Sequence, residues 1–133
     1  MRVYLDSNLV IYLVEKSPTW GERAEQYLTP RLQAGDQLIV SDLNLVECLS
    51  TPMRDNDQLI LKAYDSFWKM TVAEVVPLTK EVCLRAAAIR GHFRFKTPDS
   101  IHLAAAVENG CDVFLTNDHQ LQRFNDIAVE LLT

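Results

Sequence analysis

The sequence is poor in cysteine, glycine and proline, and these shortages exclude several classes of protein. Its 133 residues include three cysteines, four glycines and five prolines. The cysteines form no CxxC pair, and each has apolar neighbours, so we predict free thiols packed as small hydrophobic side chains, without a disulfide framework or a zinc site; they are Cys48, Cys83 and Cys111. The scattered glycines and prolines mark no linker, repeat or low-complexity segment. We therefore predict a single domain over residues 1–133.

Long apolar runs are also missing. No stretch approaches the roughly 18 consecutive apolar residues that a membrane-spanning helix needs. The N-terminus lacks the basic and apolar regions of a signal peptide. We therefore expect a cytoplasmic protein without a membrane partner.

Basic residues are outnumbered. The chain has 13 lysines and arginines against 18 aspartates and glutamates, a formal net charge of −5. This balance argues against a protein that coats nucleic acid through a basic surface. It leaves open an enzyme that handles a polyanion through bound cations, with much of the negative charge gathered in its site.

Short apolar segments alternate with amphipathic ones along the whole chain. We predict strands at 2–5, 37–40, 72–76 and 112–115, with a weaker strand near 127–131. No tight hairpin signal separates them, which favours an α/β fold with a mostly parallel sheet. Ligands of such sheets bind beyond the carboxyl ends of the strands.

Helices are predicted between these strands. The first cover 7–15 and 19–34, and the next begins after Ser41, a good N-cap residue. Another over 55–70 presents an apolar stripe, and one follows at 79–91; the stripe consists of Leu59, Ile60, Ala63, Tyr64, Phe67 and Trp68. The last is predicted to have Thr97 as its cap, Pro98 at its first position and Gly110 just past its end.

Four acidic residues are predicted to meet at the carboxyl edge of the sheet. Asp6 and Asp118 each follow an apolar strand directly. Glu47 lies one and a half turns into the helix after QLIV, and Asp99 lies in the first turn of the TPDSIHLAAAVENG helix, so both can project toward the same edge. Singly, each has an ordinary explanation, such as a turn residue or a helix-dipole partner.

Together, the four carboxylates require a counter-charge. Crowded acids repel one another, and some stay protonated unless a cation neutralises them. No matching set of lysines or arginines stands nearby in the sequence, and Mg²⁺ or Mn²⁺ prefers such hard oxygen ligands. Three polar residues are predicted to support the carboxylates by hydrogen bonds; they are Ser7, Thr116 and Asn117.

One or two divalent ions held by carboxylates support the attack of water on a phosphodiester. Such ions lower the pKa of water and neutralise charge in the transition state. The residues also show no evident Ser-His-Asp set or cysteine nucleophile. The pattern therefore favours a metal-dependent nuclease or phosphatase.

The sequence resembles the PIN domains, in particular the VapC-like ribonuclease toxins of prokaryotic type II toxin–antitoxin systems. The similar stretches are YLDSNLVIYLVE, SDLNLVECL and TPDSIHLAAAVENGCDVFLTND followed by HQL. The resemblance implies a three-layer α/β/α sandwich, Mg²⁺- or Mn²⁺-dependent endoribonuclease activity, a homodimer and a cognate antitoxin. It also implies direct metal ligation by Asp6 and Asp99. Asp118 would bind directly or through water, and Glu47 would bind through water or position the nucleophile.

The densest basic segment, RGHFRFKTPD, precedes the third acid of this set. Arg90, Arg94 and Lys96 alternate there with Phe93 and Phe95. Beside a metal site, the basic groups could bind phosphates of RNA and a phenylalanine could stack on an unpaired base. The alternative is a solvated connection with its aromatic rings turned into the core. His102 follows Asp99 by three residues and could face the same edge, but a packed or capping histidine is the favoured interpretation; His119 is interpreted as an exposed turn residue, and neither enters the predicted catalytic set.

Four other interpretations remain. A haloacid-dehalogenase-like phosphatase needs a second aspartate where this chain has Asn8. A receiver-type domain needs adjacent acids after the first strand, and a dinucleotide-binding domain needs a G-x-G-x-x-G turn that is absent. The serious alternative is a catalytically silent PIN-like module that binds RNA or protein. The RNA target stays open, because no base-reading residue can be assigned.

Overall fold

Five short parallel strands form the centre of the fold. The computed structural model describes residues 1–133. The strands are β1 (Arg2–Leu5), β2 (Gln37–Ser41), β3 (Glu74–Val76), β4 (Val113–Thr116) and β5 (Ala128–Leu131). The helices are α1 (Ser7–Val14), α2 (Trp20–Gln33), α3 (Asp42–Arg54), α4 (Gln58–Met70), α5 (Lys80–Phe93) and α6 (Thr97–Glu108), with a 3-10 helix at His119–Arg123.

The sheet has the strand order β3-β2-β1-β4-β5. All four strand pairings are parallel, including those of the edge strands β3 and β5, so the prediction of a mostly parallel sheet is confirmed. The chain moves outward from β1 in one direction to β3, then returns to the other side of β1 for β4 and β5. The reversal makes the junction of β1 and β4 the switch point where open α/β sheets bind ligands.

Helices cover both faces of the sheet, which confirms the predicted three-layer α/β/α arrangement. Successive strand residues point to opposite faces: Val3 and Leu5 pack with α1 to α4, whereas Tyr4 packs with α5 and α6. The central strands are therefore buried on both sides and read as apolar runs.

Local capping signals place the helix ends near the site. The Ser41 side chain accepts from the backbone N–H of Leu43, and Asn44 completes a capping box, which confirms the predicted start of α3. Gly110 has φ of +66° just after α6, the left-handed conformation that favours glycine at this position. No helix has the length and apolar character needed to span a membrane.

Three details of the sequence prediction are wrong. Thr97 is the first residue of α6, and Lys96 occupies the cap position without a side-chain hydrogen bond. Leu59 is 81% exposed, because it lies at the edge of the apolar stripe near the start of α4. All three cysteines are free as predicted, but Cys83 is exposed on α5 instead of packed.

Candidate active site

Two of the four acids lie side by side at the switch point. Leu5 and Leu115 are paired residues of β1 and β4, and the N–H of Asp6 donates to the carbonyl of Leu115 at 3.0 Å. Asp6 therefore begins immediately beyond β1, while Asp118 follows β4 by two residues. Parallel pairing brings two segments 110 residues apart to the same edge.

Ser7 connects Asp6 with Glu47. Its backbone N–H donates to Oδ1 of Asp6 at 2.8 Å, and its hydroxyl donates to Oε1 of Glu47 at 2.7 Å. The hydroxyl also accepts a hydrogen bond from the Asn44 amide at 3.1 Å, which leaves its own proton for Glu47. One small residue thus sets the separation of the acid that follows β1 from the acid on α3.

Thr116 connects Asp6 with Asp118 in the same way. Its hydroxyl donates to Oδ2 of Asp6 at 2.7 Å and accepts from the backbone N–H of Asp118 at 3.1 Å. The Asp118 carboxylate accepts from the N–H of Gln120 at 2.9 Å. Asp6 and Asp118 also cap α1 and the 3-10 helix, so both have a structural role besides any function.

Asp99 is the acid without a hydrogen-bond donor. It lies half-buried in the first turn of α6. Burial raises the pKa of Asp99 most, and the charges of Asp6, Asp118 and Glu47 raise it further, against a smaller lowering by His102. The carboxylate therefore lies within electrostatic reach of the other three acids, and its ionised form is left uncompensated.

Glu47 has the opposite environment. Burial is the largest single influence and would raise its pKa, but hydrogen bonds from His102 and Ser7 and the charge of His102 together lower it. Both hydrogen bonds reach Oε1, at 2.5 Å from Nε2 of His102 and 2.7 Å from Ser7. No hydrogen bond occupies Oε2.

The hydrogen bond between His102 and Glu47 was not predicted from the sequence. His102 is buried, as predicted, with 1% of its surface exposed, yet its Nε2 faces Glu47 and lies 4.0 Å from Oδ1 of Asp6. The spacing had indicated that His102 could face the same edge as Asp99, because residues three apart lie on the same helix face, but it did not indicate the contact with Glu47. A helix pattern of small apolar residues interrupted by one histidine also marks the position.

A buried polar network behind the acids was missed as well. The amide of Asn44 donates to the carbonyl of Leu5 at 3.0 Å and to Ser7, tying α3 to the end of β1. The Tyr4 hydroxyl lies 2.7 Å from Nδ1 of His102 and 2.8 Å from Oγ of Ser41. Buried polar groups need such partners, but nothing in the sequence identifies which ones they find.

Asn117, the third residue predicted to support the carboxylates, lies away from them. Asn117 donates to the Tyr12 hydroxyl at 2.6 Å and accepts from Asn8 at 3.4 Å, without a hydrogen bond to any of the four acids. The prediction that Asn117 supports the carboxylates by hydrogen bonds is therefore wrong.

The basic segment divides into bound and free residues. Arg90 donates to the carbonyl of Phe95 at 2.8 Å and thereby fixes the connection between α5 and α6. Arg94 and Lys96 are exposed and form no ion pair. Phe95 is 3% exposed, so its ring is turned into the core as in the alternative interpretation and cannot stack on a base.

The donor set matches the chemistry of Mg²⁺ or Mn²⁺. No lysine or arginine pairs with any of the four acids. No group of three or more histidine, cysteine, aspartate or glutamate side chains lies close enough together to hold a metal ion. Mg²⁺ usually keeps several waters and binds one or two carboxylates together with substrate phosphate. Carboxylates without a lysine or arginine partner fit this mode of binding.

The sequence as a whole matches the family model described as the PIN domain over residues 3–127. The chain belongs to the PIN-domain family. The resemblance drawn from the acidic stretches is thereby confirmed, and the dehalogenase, receiver and dinucleotide-binding interpretations are set aside. No curated protein matches the chain in sequence.

Solved structures share the fold at low sequence identity. VapBC2 from Rickettsia felis, solved with a DNA fragment from its promoter, has a TM-score of 0.82 at 14% identity, with 100% of both chains covered. FitAcB from Neisseria gonorrhoeae has a TM-score of 0.71 at 17% identity, covering 96% of this chain and 95% of the other. VapC20 from Mycobacterium tuberculosis, described as a toxin that cleaves the sarcin-ricin loop, has a TM-score of 0.63 at 18% identity over 84% and 86%.

Proposed function

We propose that the protein is a Mg²⁺- or Mn²⁺-dependent endoribonuclease that hydrolyses RNA phosphodiester bonds. The observation that carries the proposal is the cluster at the β1–β4 switch point. Its four acids lack any lysine or arginine partner, and the half-buried Asp99 carboxylate has no hydrogen-bond donor. A divalent cation would supply the missing charge, and RNA phosphate would complete its ligand shell.

In this proposal, Asp6 and Asp99 bind the metal directly. Asp118 binds it directly or through water, and Glu47 acts through water. When bound, one or two such ions lower the pKa of water and neutralise charge on the phosphate in the transition state.

The chain's own groups would hold these carboxylates in position. Ser7 and Thr116 restrain both oxygens of Asp6, so its orientation does not have to be acquired when a ligand arrives. Glu47 keeps Oε2 free to accept a hydrogen bond from the attacking water. Preorganised groups of this kind reduce the reorganisation that the reaction must otherwise supply.

RNA would reach the site past the connection between α5 and α6. Arg94 and Lys96 lie in the connection that leads into α6, whose first turn carries Asp99, and both are exposed without an ion-pair partner. Two free cations there can bind phosphates that flank the scissile bond. Arg90 contributes by holding that connection through the carbonyl of Phe95.

We further propose that the protein is a cytoplasmic, homodimeric toxin held inactive by a cognate antitoxin. Support comes from the fold, which it shares with a toxin–antitoxin complex from Klebsiella pneumoniae and with the toxin from Mycobacterium tuberculosis that is described as cleaving the sarcin-ricin loop. Large apolar side chains on α3 and α4 remain available for partners; they are Val46, Met53, Leu59 and Met70. Light scattering of the purified chain, alone and co-expressed with the cognate antitoxin, tests both the homodimer and the complex with the antitoxin.

Cleavage of a mixed RNA pool tests the activity. We expect cutting with Mn²⁺ and Mg²⁺, loss of cutting with EDTA and a ~10²–10³-fold decrease in Asp6→Asn, the range seen when one group that stabilises transition-state charge is removed. Asp65→Asn is the matched control, because Asp65 is an exposed residue of α4 paired only with Lys69.

The outcomes separate the enzyme from its main alternative. Metal-dependent cutting that Asp65→Asn retains and Asp6→Asn loses supports the nuclease. A folded, antitoxin-free protein that binds RNA but cuts none of it, including structured ribosomal and transfer RNA, favours a silent binding module. Cutting that survives both EDTA and Asp6→Asn would refute the proposed chemistry.

A further inference from the structure

His102 stands in a position to orient Glu47. Its Nε2 lies 2.5 Å from Oε1 of Glu47, the same oxygen that accepts the Ser7 hydroxyl at 2.7 Å. Only 1% of the histidine is exposed, compared with 32% of the Glu47 side chain. A fixed, buried donor therefore faces a more accessible acid.

The carboxylate that the ring faces shows that Nε2 is the donor. A carboxylate only accepts hydrogen bonds, so Nε2 carries a proton. On the other side of the ring, Nδ1 lies 2.7 Å from the Tyr4 hydroxyl, which is itself 2.8 Å from Oγ of Ser41. The only buried side-chain nitrogen or oxygen without a partner is Nε1 of Trp68, so this network is fully satisfied.

The two donors act on one oxygen and leave the other free. Ser7 reaches Glu47 from the start of α1, and His102 reaches it from α6 on the other face of the sheet. Two hydrogen bonds from different elements restrict rotation of the carboxylate. Oε2 is left without a hydrogen bond and is directed by the restraint on its partner oxygen.

We propose that His102 is a positioning residue of the nuclease: by donating from Nε2 to Oε1 of Glu47, with Tyr4 holding Nδ1, it aims Oε2 at the attacking water. The proposal rests on the proposed function. It goes beyond the four acids, because it assigns different roles to the two oxygens of Glu47: Oε1 accepts the positioning hydrogen bonds, and Oε2 faces the attacking water. His102 itself touches neither substrate nor metal.

Two substitutions of His102 separate the two sides of its ring. Glutamine places an amide near Nε2 and can still donate to Glu47, whereas asparagine reaches only the place of Nδ1. We expect His102→Asn to lower kcat by roughly 10- to 100-fold, with KM for RNA within about twofold, because a charge-assisted hydrogen bond is lost. His102→Gln should recover most of that rate. Equal losses in both variants, or no loss in His102→Asn, would overturn the assignment.

A double-mutant cycle tests whether the effect passes through Glu47. In a Glu47→Gln background, His102→Asn should cause less than about a twofold further loss, because residues that act as one unit are not additive. A full, independent loss in that background would mean that His102 acts by another route. Thermal unfolding of each variant verifies that the fold is retained.

A measurement on the metal-free protein keeps the proposal separable from the nuclease activity. The ¹³C resonance of the Glu47 carboxylate, assigned by its disappearance in Glu47→Gln, should move or broaden in His102→Asn and return near its original position in His102→Gln. An unchanged resonance in His102→Asn overturns the positioning role even if RNA is cut. If the wild type cuts no RNA, the proposed function fails while this measurement still decides the contact.

Tyr4→Phe provides a second route if His102→Asn does not fold. The change removes only the hydroxyl that holds Nδ1. We expect a kcat lowered by roughly threefold to tenfold and a shifted Glu47 resonance, since the ring loses one of its two anchors. A wild-type rate together with an unshifted resonance would contradict the proposal.

Discussion

Glu47 and Asp99 occupy opposite electrostatic environments within one cluster. Two donors fix Glu47 and lower its pKa despite burial, whereas burial and three neighbouring charges raise the pKa of Asp99, which has no donor. The ionised form of Glu47 is compensated inside the protein, and that of Asp99 is not. An active site can thus combine an acid that the fold stabilises with one that only a ligand stabilises.

Asp99→Asn should have the largest effect on activity. We expect RNA cleavage to fall by ~10²–10³-fold, because a direct metal ligand is lost. The melting temperature of the metal-free protein should rise by roughly 1–4 °C, since an uncompensated charge is removed. Cleavage rates and calorimetry in EDTA measure the two effects.

Added Mn²⁺ is the control for this prediction. It should raise the melting temperature of the wild type and of Asp65→Asn, by mass action, but not that of Asp99→Asn. A melting temperature that falls in Asp99→Asn without metal would mean that the carboxylate is stabilised by the fold, contrary to its environment.

Glu47→Gln should give a smaller loss of cleavage and the opposite effect on stability. We expect cleavage to fall by roughly 10- to 100-fold, as the oriented carboxylate is lost. The melting temperature should decrease, because hydrogen bonds from His102 and Ser7 to a charged acceptor are replaced by weaker ones. A variant more stable than the wild type would show that burial, not hydrogen bonding, dominates at Glu47.

The pH dependence of stability should differ between the two acids in the metal-free protein. The pKa of Glu47 is lowered from its ordinary 4.5, so its stabilising contribution is complete above that pH and is lost as pH falls through the folded-state pKa. The pKa of Asp99 is raised from its ordinary 3.8, so the folded protein loses stability as pH rises from there through the raised value.

Urea unfolding between about pH 3.5 and 7 measures both contributions. The difference in unfolding free energy between wild type and Glu47→Gln should increase with pH, and that between wild type and Asp99→Asn should decrease. Slopes of the same sign in the two difference curves would contradict the assigned environments.

The smallest predicted effect concerns the basic segment, where bound and free residues again differ. Replacing Arg94 and Lys96 with alanine should weaken RNA binding and reduce the slope of log K against log salt by about 1.4, or about 0.7 for each phosphate contact with single-stranded RNA. Arg54→Ala with Lys69→Ala is the matched control, since both lie exposed on other helices. An unchanged slope, measured by filter binding, would remove this segment from the RNA surface.

Much of the fold could be predicted because it follows from local patterns. Apolar runs identified all five strands, and signals such as Ser41 and Gly110 placed helix ends. The failures were also local. The cap of α6 is Lys96 and not Thr97, an error of one residue, and helix ends are seldom predicted more closely than that. Leu59 lies one position before the buried stripe of α4, where periodicity alone does not decide whether a side chain is buried.

Sequence patterns alone were enough to select the four carboxylates as candidates: Asp6 and Asp118 each follow a strand, Asp99 lies in the first turn of a helix, and Glu47 lies on the helix that follows β2. They did not determine that His102 and Tyr4, separated by 98 positions, share a hydrogen bond, or that both donors of Glu47 converge on one oxygen. Those contacts join different layers of the sandwich. Burial demands partners for polar groups, but only the packing of α3, α6 and β1 decides which partners they are.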